Sequence, residues 1–239
     1  MAKTPKSSSG NRELKKRVKT ARGRSISSVR WLNRQINDPY VSRAKQEGYR
    51  SRAAFKLIEM DDRFKWLKSG KTVLDLGAAP GGWTQVAVAR VKSPAEKPMV
   101  LGVDILPMPP ITGATLLQLD FMDETAPGVI RALIPGGVDI VLSDMAPNTT
   151  GHAATDHLRI MALLEAVYPF ACEVLKKGGV FVAKVFQGGA EKDLLARMKQ
   201  DFETVKHAKP KASRADSSEN YVVASGFKNK IPFPLEGEG

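Results

Sequence analysis

The segment TVLDLGAAPGGWT, residues 72–84, decides the fold of this 239-residue chain. Its first half, from Thr72 to Gly77, is a short β-branched and apolar run of the kind that forms a buried strand. Its second half is rich in glycine and proline and leads into an apolar run that predicts a helix from Trp83. Glycines let the backbone approach a ligand closely, and the first turn of a helix presents free N–H groups. The segment therefore predicts a strand, a loop and a helix that together hold a nucleotide-like cofactor.

The alternation of strands and helices continues from this segment to residue 227. After the strand at 72–77, further strands are predicted at 99–103, 115–119, 138–143, 179–185, 203–208 and 220–227. Helices are predicted at 83–91, 124–133, 156–176 and 190–202. Such alternation is typical of an α/β fold with a mostly parallel sheet covered on both faces. Because no helix separates the last two strands, we expect them to form an antiparallel pair at one edge of a seven-stranded sheet.

The sequence before the sheet divides into two parts. Residues 1–27 are rich in Lys, Arg, Ser and Gly and are predicted to form a disordered basic tail. Residues 28–65 are predicted to form helices, with a break at Asp38-Pro39. We therefore expect a single folded domain at 28–227 with an N-terminal helical extension at 28–65, followed by a short C-terminal tail at 228–239.

The charge of the chain is concentrated near its N-terminus. The formal net charge is +12, and the first 50 residues hold 14 Lys and Arg against three acidic residues. A nearly neutral globule with a basic arm favours a polyanionic partner, most simply a nucleic acid. No apolar run reaches the ~18 residues that a membrane span requires. The N-terminus also lacks the features of a secretory signal, so a cytoplasmic protein without membrane contact is expected.

The chain has few residues that bind metals. Its single cysteine, Cys172, excludes an intrachain disulfide and a cysteine metal cluster, and its apolar surroundings favour a buried, unreactive thiol. The three histidines have no spacing typical of metal ligands. No metal cofactor is therefore predicted.

Acidic residues follow three of the predicted strands. Asp104, Asp120 and Asp144 stand where strands end, and ligands of open α/β sheets bind at the carboxyl ends of strands. Asp104 closes the second strand, where a carboxylate can bind ribose hydroxyls. Folds that bind NAD also have a carboxylate at this place, so Asp104 alone does not identify the cofactor. The loop after Gly77 lacks both the G-x-G-x-x-G spacing of a dinucleotide site and the Gly-Lys-Ser/Thr of a P-loop. This pattern disfavours a nicotinamide oxidoreductase and suits S-adenosylmethionine.

Three motifs carry a resemblance to a known family. The sequences DLGAAPGGW (75–83), GVDILPM (102–108) and SDMAPN (143–148) closely resemble those of the FtsJ/RrmJ (RlmE) family. Members of this family are ribose 2′-O-methyltransferases of large-subunit ribosomal RNA. The resemblance extends from about Val29 to Phe227 and implies a Rossmann-like methyltransferase fold that uses S-adenosylmethionine.

The resemblance also implies a cofactor site. Gly81 and Trp83, with Gly82 between them, would contact the methionine part of the cofactor. Asp104 would hold the ribose. The remaining residues implied at this site are Asp120 and Phe121 at the adenine and Asp144 beside the methyl donor.

Four polar residues form the candidate catalytic set: Lys56, Asp144, Lys184 and Glu219. Lys184 lies in the otherwise apolar strand FVAKVF, where a lysine is costly unless it is paired, so it is a functional candidate. Lys56 belongs to a predicted helix and Glu219 opens the last strand. The resemblance makes these residues the Lys-Asp-Lys-Glu tetrad of 2′-O-methyltransferases.

A ribose hydroxyl is a poor nucleophile while it is protonated, so methyl transfer requires in-line placement and a group that engages the hydroxyl proton. Lys184 is predicted to be that group. Whether Lys184 acts as a neutral base or as a charged group that orients the oxygen stays open at the level of sequence. Further basic residues near the motifs are candidates for phosphate contacts. They are Arg50, Arg52, Lys56, Lys209, Lys211 and Arg214.

The predicted function is therefore S-adenosylmethionine-dependent 2′-O-methylation of a uridine in 23S rRNA of the large (50S) ribosomal subunit, by an enzyme expected to be a monomer. One alternative is a related methyltransferase that acts on tRNA or another RNA, because the core motifs are shared. Another alternative is a ribosome assembly factor that binds RNA without catalysis. The intact set of four polar residues argues against the latter.

Overall fold

A computed structural model describes residue 23 and residues 26–147, 152–186, 192–214 and 217–228. Its helices are α1 (Ile26–Ile36), α2 (Pro39–Gln46), α3 (Ala53–Phe64), α4 (Gly82–Val91), α5 (Ala126–Leu133), α6 (Ala153–Val174) and α7 (Lys192–Asp201). Its strands are β1 (Val73–Leu76), β2 (Val100–Asp104), β3 (Ala114–Gln118), β4 (Val138–Ser143), β5 (Leu175–Phe186), β6 (Phe202–Ala208) and β7 (Glu219–Phe227). Apart from residue 23, the first two residues of α1 and residue 228, the two predicted tails lie outside the described residues.

The strands form one sheet in the order β3-β2-β1-β4-β5-β7-β6. Every neighbouring pair from β3 to β5 is parallel, whereas β7 is antiparallel to both β5 and β6. The connection from β5 to β6 contains helix α7. These two strands run in the same direction and are separated by the width of one strand. The hairpin from β6 returns β7 into that gap. The prediction of a mostly parallel seven-stranded sheet with an antiparallel edge is confirmed, with β6 as the outermost strand.

Strand β5 begins four residues earlier than the sequence predicts. The sequence predicts a helix that ends at residue 176 and a strand that begins at residue 179, whereas α6 ends at Val174 and β5 follows directly. In the structure Leu175 pairs with Val138, and Val180 pairs with Ile140 after a shift in register. Gly178, with a φ of 78°, lies within this irregular stretch and accommodates the extra residues. The glycines therefore form a bulge inside the strand.

The side chains of each strand alternate between two apolar layers. On one face, Val141 and Phe181 pack with residues of α5, α6 and α7. On the other face, Leu142 and Val182 pack with α3 and α4. Because side chains alternate with a period of two, the residues that continue the second row past the core also point toward α3. Those residues are Asp144 after β4, Lys184 in β5, and Glu219 at the start of β7.

The N-terminal helices pack on the rest of the domain through aromatic side chains. Phe55 of α3 is buried, and its ring centroid lies 5.6 Å from those of both Tyr40 and Tyr49. Ala44 of α2 and Ala212, from the segment between β6 and β7, complete this small cluster. The helical extension is therefore joined to the β6–β7 segment, which leads into Glu219.

Strand β1 carries a buried carboxyl group beneath the glycine-rich loop. Asp75 is fully buried, its Oδ2 accepts a hydrogen bond from the Thr84 hydroxyl at 2.6 Å, and its Oδ1 has no partner among the described residues. Burial raises the pKa of Asp75 to about 7. The hydrogen bond from Thr84 opposes this shift, whereas the charges of Asp144 and Asp104 add to it. Folding therefore favours the protonated form of this carboxyl group.

Asp75→Asn should remove a pH dependence of stability. A carboxyl group whose pKa rises on folding stabilises the fold fully below its unfolded pKa, and this contribution is lost as the pH rises through its folded pKa. Relative to the wild type, the free energy of unfolding of Asp75→Asn should increase by about 2–3 kcal/mol between pH 5 and pH 8. Denaturant unfolding at several pH values measures this difference. Asp123→Asn is the control, because the pKa of Asp123 is lowered and it titrates below this range; equal pH profiles for all three proteins would contradict the assignment.

Candidate active site

The glycine-rich loop is enclosed by protein on two sides. Gly81 has a φ of 108°, which glycine adopts readily, and α4 begins at the next residue. A Cβ added at Gly81 would lie 2.8 Å from the Ile111 side chain, and one added at Gly82 would clash with the Ser51 hydroxyl. A side chain at Gly81 would also be strained by the positive φ, and one at Gly82 would require Ser51 to move. Its fixed path brings the N-terminus of α4 to the carboxyl ends of the strands.

Asp104 fastens this loop to the end of β2. One carboxylate oxygen of Asp104 accepts a hydrogen bond from the Ala79 N–H at 2.9 Å, and the other accepts from the Leu106 N–H at 2.8 Å. The carboxylate thus lies between the glycine-rich loop and the segment after β2. Each oxygen has a second lone pair available, so Asp104 can still accept hydrogen bonds from ligand hydroxyls.

Three other residues predicted to bind the cofactor differ in their exposure and in their contacts. Asp120 is exposed, lies two residues beyond β3 and accepts a hydrogen bond from the Met122 N–H. Phe121 is largely buried and packs edge-on against Phe170, with ring centroids 5.5 Å apart. Trp83 is also buried, and its indole N–H donates to the Ala53 carbonyl at 2.8 Å. Of the three, only Asp120 is exposed; Trp83, whose side chain is buried, can offer a ligand its backbone N–H in the first turn of α4.

The structure brings the four predicted catalytic residues into one cluster. Lys184 Nζ lies 2.8 Å from Asp144 Oδ1 and also donates to the Asp144 backbone carbonyl at 2.8 Å. Lys56 Nζ lies 2.7 Å and 2.9 Å from the two carboxylate oxygens of Glu219. The distances between the two pairs are longer. Lys56 Nζ lies 4.0 Å from Asp144 Oδ2, and Lys184 Nζ lies 3.9 Å from Glu219 Oε2. Two cations and two carboxylates therefore alternate around a compact, nearly buried cluster.

Two further residues complete the cluster, and the sequence analysis did not select them. The Tyr221 hydroxyl donates to Asp144 at 2.7 Å and accepts a hydrogen bond from Lys56 at 3.0 Å. The Ser213 hydroxyl donates to Glu219 at 2.8 Å. A signal for Tyr221 was present, because a residue two positions after Glu219 in a strand lies on the same face. The sequence held no comparable signal for Ser213, which precedes β7.

Electrostatics keep Asp144 ionised inside the cluster. Burial by itself would raise its pKa, but the charges of Lys184 and Lys56 and the hydrogen bonds from Lys184 and Tyr221 outweigh burial and lower it. The pKa of Tyr221 is raised well above its usual value, first by burial and then by the carboxylates of Asp144 and Glu219. Tyr221 is therefore protonated and acts as a hydrogen-bond donor to Asp144 at neutral pH.

Two of the basic residues predicted to contact phosphates also make contacts within the protein. The Arg50 guanidinium donates to the carbonyls of Pro109 and Pro110, at 2.7 Å each. Arg52 donates to the Ala212 carbonyl and lies 3.1 Å from an oxygen of Asp38. These contacts link the entrance of α3 to loops on both sides of the site. The corresponding RNA contacts stay a prediction.

Cys172 is half-buried, and burial raises the pKa of its thiol to about 11, so the thiol is protonated at neutral pH. No group of His, Cys, Asp and Glu side chains within the described part of the chain is arranged to hold a metal ion. No helix among the same residues is both long and apolar enough to cross a membrane.

Comparison with known proteins identifies the family. A model of the FtsJ-like methyltransferase family matches residues 49–227, about three quarters of the chain. The chain belongs to the FtsJ-like methyltransferase family. The family prediction made from the three sequence motifs is therefore confirmed, and with it the prediction that the chain is a methyltransferase.

Curated FtsJ-like relatives match nearly the whole chain. A protein of Parvibaculum lavamentivorans is 58% identical over 95% of this chain and 92% of its own length. A protein of Granulibacter bethesdensis is 60% identical over 88% of this chain and 90% of its own length. Both relatives are named ribosomal RNA large subunit methyltransferase E.

A solved structure supports the same family. The crystal structure of a Plasmodium falciparum protein described as a ribosomal RNA methyltransferase matches with a TM-score of 0.67 and 31% identity. It covers 76% of this chain and all of the other chain. This chain and the Plasmodium falciparum protein therefore share the same fold.

Tyr221→Phe should destabilise the protein, because both Asp144 and Lys56 lose a hydrogen-bond partner inside a nearly buried cluster. The expected loss is about 1–3 kcal/mol in the free energy of unfolding, measured by denaturant titration. Tyr49→Phe is the matched control, because the Tyr49 hydroxyl makes no hydrogen bond with any described residue and its ring packs on the same helix α3. A loss for Tyr49→Phe as large as that for Tyr221→Phe would contradict the assignment.

Proposed function

We propose that this protein transfers a methyl group from S-adenosylmethionine to the ribose 2′-hydroxyl of a uridine in 23S rRNA of the large ribosomal subunit. The cluster of Lys56, Asp144, Lys184 and Glu219 is the observation that carries the proposal. Its four charged groups lie at the end of the sheet that also holds the glycine-rich loop. The names of the relatives, which specify the large ribosomal subunit, support the choice of acceptor. We place the reaction in the cytoplasm, and the expected monomeric state stays a prediction.

The donor set at the strand ends fits S-adenosylmethionine. The Asp104 carboxylate can accept hydrogen bonds from the ribose hydroxyls of the cofactor while it holds the Ala79 N–H. The backbone N–H groups at the start of α4, from Gly82 and Trp83, suit the negatively charged methionine carboxylate. Asp120 suits the adenine amino group, because a carboxylate accepts hydrogen bonds. When bound, the cofactor supplies an electrophilic methyl group.

Lys184 is the group best placed to engage the acceptor hydroxyl. Two of the three hydrogen-bond donors of a lysine ammonium are directed at Asp144, through its carboxylate and its backbone carbonyl. The third is available for the oxygen of an incoming ribose, since Glu219 lies 3.9 Å away. This arrangement lets Lys184 hold the oxygen in line with the methyl group.

Lys56 and Glu219 hold the other half of the cluster. The Lys56 ammonium is paired with both oxygens of Glu219 and donates to the Tyr221 hydroxyl. It also lies 4.0 Å from a carboxylate oxygen of Asp144, so its positive charge offsets both carboxylates. Ser213 fixes the orientation of the Glu219 carboxylate. These contacts therefore keep the carboxylate of Glu219 in place while Lys184 contacts the substrate.

Lys184→Ala should lower methyl transfer by about 100-fold or more, because the acceptor hydroxyl loses the group that orients its oxygen or engages its proton. Incorporation of labelled methyl groups into undermethylated large subunits measures the rate, and calorimetry measures cofactor affinity, which should stay near that of the wild type. Lys206→Ala, which removes an exposed lysine from β6, is the control and should leave both quantities unchanged. Near-normal turnover by Lys184→Ala would refute the role of Lys184.

Asp104→Ala should weaken S-adenosylmethionine binding by about tenfold or more, because the ribose hydroxyls lose a charged acceptor and the loop loses the anchor of Ala79. Asp104→Asn should lose less, since an amide keeps one acceptor oxygen. Calorimetric titration of both variants with the cofactor separates the two contributions. Equal affinities for Asp104→Ala and the wild type would exclude Asp104 from the cofactor site.

The acceptor itself is tested by offering several RNAs in parallel. Large subunits, free 23S rRNA and tRNA are incubated with the enzyme and labelled cofactor, and the methylated ribose is then mapped. Transfer to large subunits or 23S rRNA at a uridine 2′-oxygen supports the proposal. Transfer to tRNA alone would favour the related tRNA enzyme, and binding of large subunits without transfer would favour an assembly factor.

A further inference from the structure

A cavity of about 400 Å³ opens beside the catalytic cluster. Lys56 and Glu219 form part of its lining, and α1, the entrance of α3 and the segment before β7 form the rest. None of the residues proposed to bind the cofactor lines this cavity. The cavity therefore approaches the cluster from a different side than the glycine-rich loop. The acceptor must bind on such a side, because the cofactor is proposed to bind at the loop.

The lining of this cavity is strongly basic. Its lining holds four positively charged side chains and one carboxylate, that of Glu219. The four are Lys56, Arg34 from α1, Arg52 from the entrance of α3, and Arg214. Asp38 neutralises part of this charge, since it lies 3.1 Å from Arg52 and 3.6 Å from Arg214. Arg34 has no ion pair with any described residue and is exposed. An excess of positive charge remains, and it favours an anionic occupant.

Two of the three arginines are held in place before any ligand arrives. Asp38 is buried and accepts a hydrogen bond from the Tyr40 N–H at 3.0 Å, so it caps the N-terminus of α2. Its fixed carboxylate positions both Arg52 and Arg214, and Arg52 also donates to the Ala212 carbonyl. Little conformational entropy is then lost when these guanidinium groups bind a ligand.

We propose that this cavity, here called the acceptor pocket, binds the RNA phosphate that flanks the target ribose, with Arg34, Arg52 and Arg214 as its ligands. Guanidinium groups match the geometry of phosphate oxygens, and a volume of about 400 Å³ is within the range of pockets that hold a ligand of nucleotide size. The inference rests on the proposed function, because the pocket takes its meaning from the neighbouring Lys56 and Glu219. It adds helix α1 to the RNA-binding surface.

Arg34 gives the cleanest test. Removing Arg52 or Arg214 would leave the buried Asp38 short of a partner and could unfold the protein, whereas Arg34 is exposed in the last turn of α1. Arg34→Ala should raise the KM for large subunits by about five- to tenfold while kcat and cofactor affinity stay near wild type. The slope of log affinity against log salt for a short oligouridylate should become shallower by about 0.7, the value for one phosphate contact on a single strand. Arg34→Lys should restore most of this slope.

Arg131→Ala is the matched control, since Arg131 is an exposed arginine on α5 that does not line the pocket. Unchanged KM and salt slope for Arg34→Ala would overturn the proposal, as would equal effects for Arg34→Ala and Arg131→Ala. Competition by poly-glutamate that is stronger than competition by oligouridylate would also overturn it and indicate an acidic protein partner. The oligouridylate measurement needs no turnover, so failure of the pocket is distinguishable from failure of the proposed methyl transfer.

Discussion

The pairing of Lys184 with Asp144 is the interaction on which the site depends. A lysine in an apolar strand and a carboxylate at the end of the neighbouring strand would each be costly to bury alone, and at 2.8 Å they neutralise one another. Lys56 and Glu219 repeat the arrangement beside them, and the Tyr221 hydroxyl joins the two pairs through Asp144 and Lys56. Loss of any one charge leaves another uncompensated. The same mutual dependence that makes the charges costly to bury also holds the four groups in fixed positions, as the proposed methyl transfer requires.

The N-terminal helices are part of the site rather than an appendage. Helix α3 supplies Lys56, and Glu59 on the same helix accepts hydrogen bonds from the Tyr40 hydroxyl and the Ala212 N–H. The segment before β7 is thereby held against α2 and α3, and Ser213 within it orients Glu219. One half of the catalytic cluster therefore depends on packing between the extension and the β6–β7 segment. The acceptor pocket arises in the same junction.

Residues proposed to bind ligands at this end of the sheet also make structural contacts. Asp104 anchors the glycine-rich loop and keeps lone pairs that can accept further hydrogen bonds. Arg50, predicted from the sequence to contact phosphate, also joins the segment before α3 to the carbonyls of Pro109 and Pro110. Asp75 beneath the loop keeps one buried oxygen without a partner among the described residues. Substitutions here will combine effects on ligand binding with effects on the fold.

The sequence by itself determined the alternation of strands and helices, the glycine-rich loop, the acids at strand ends and the four charged residues. These features are local. An alternation of side chains with a period of two, a turn that requires glycine, or a lysine in an apolar strand can each be recognised from neighbouring residues. Only the tertiary structure placed β7 between β5 and β6, joined Tyr221 and Ser213 to the cluster, and gathered Arg34, Arg52 and Arg214 around one cavity. The physical reason is distance along the chain. Lys56 and Glu219 are 163 residues apart in sequence, and only the packing of α3 on the sheet decides which partner each charge meets.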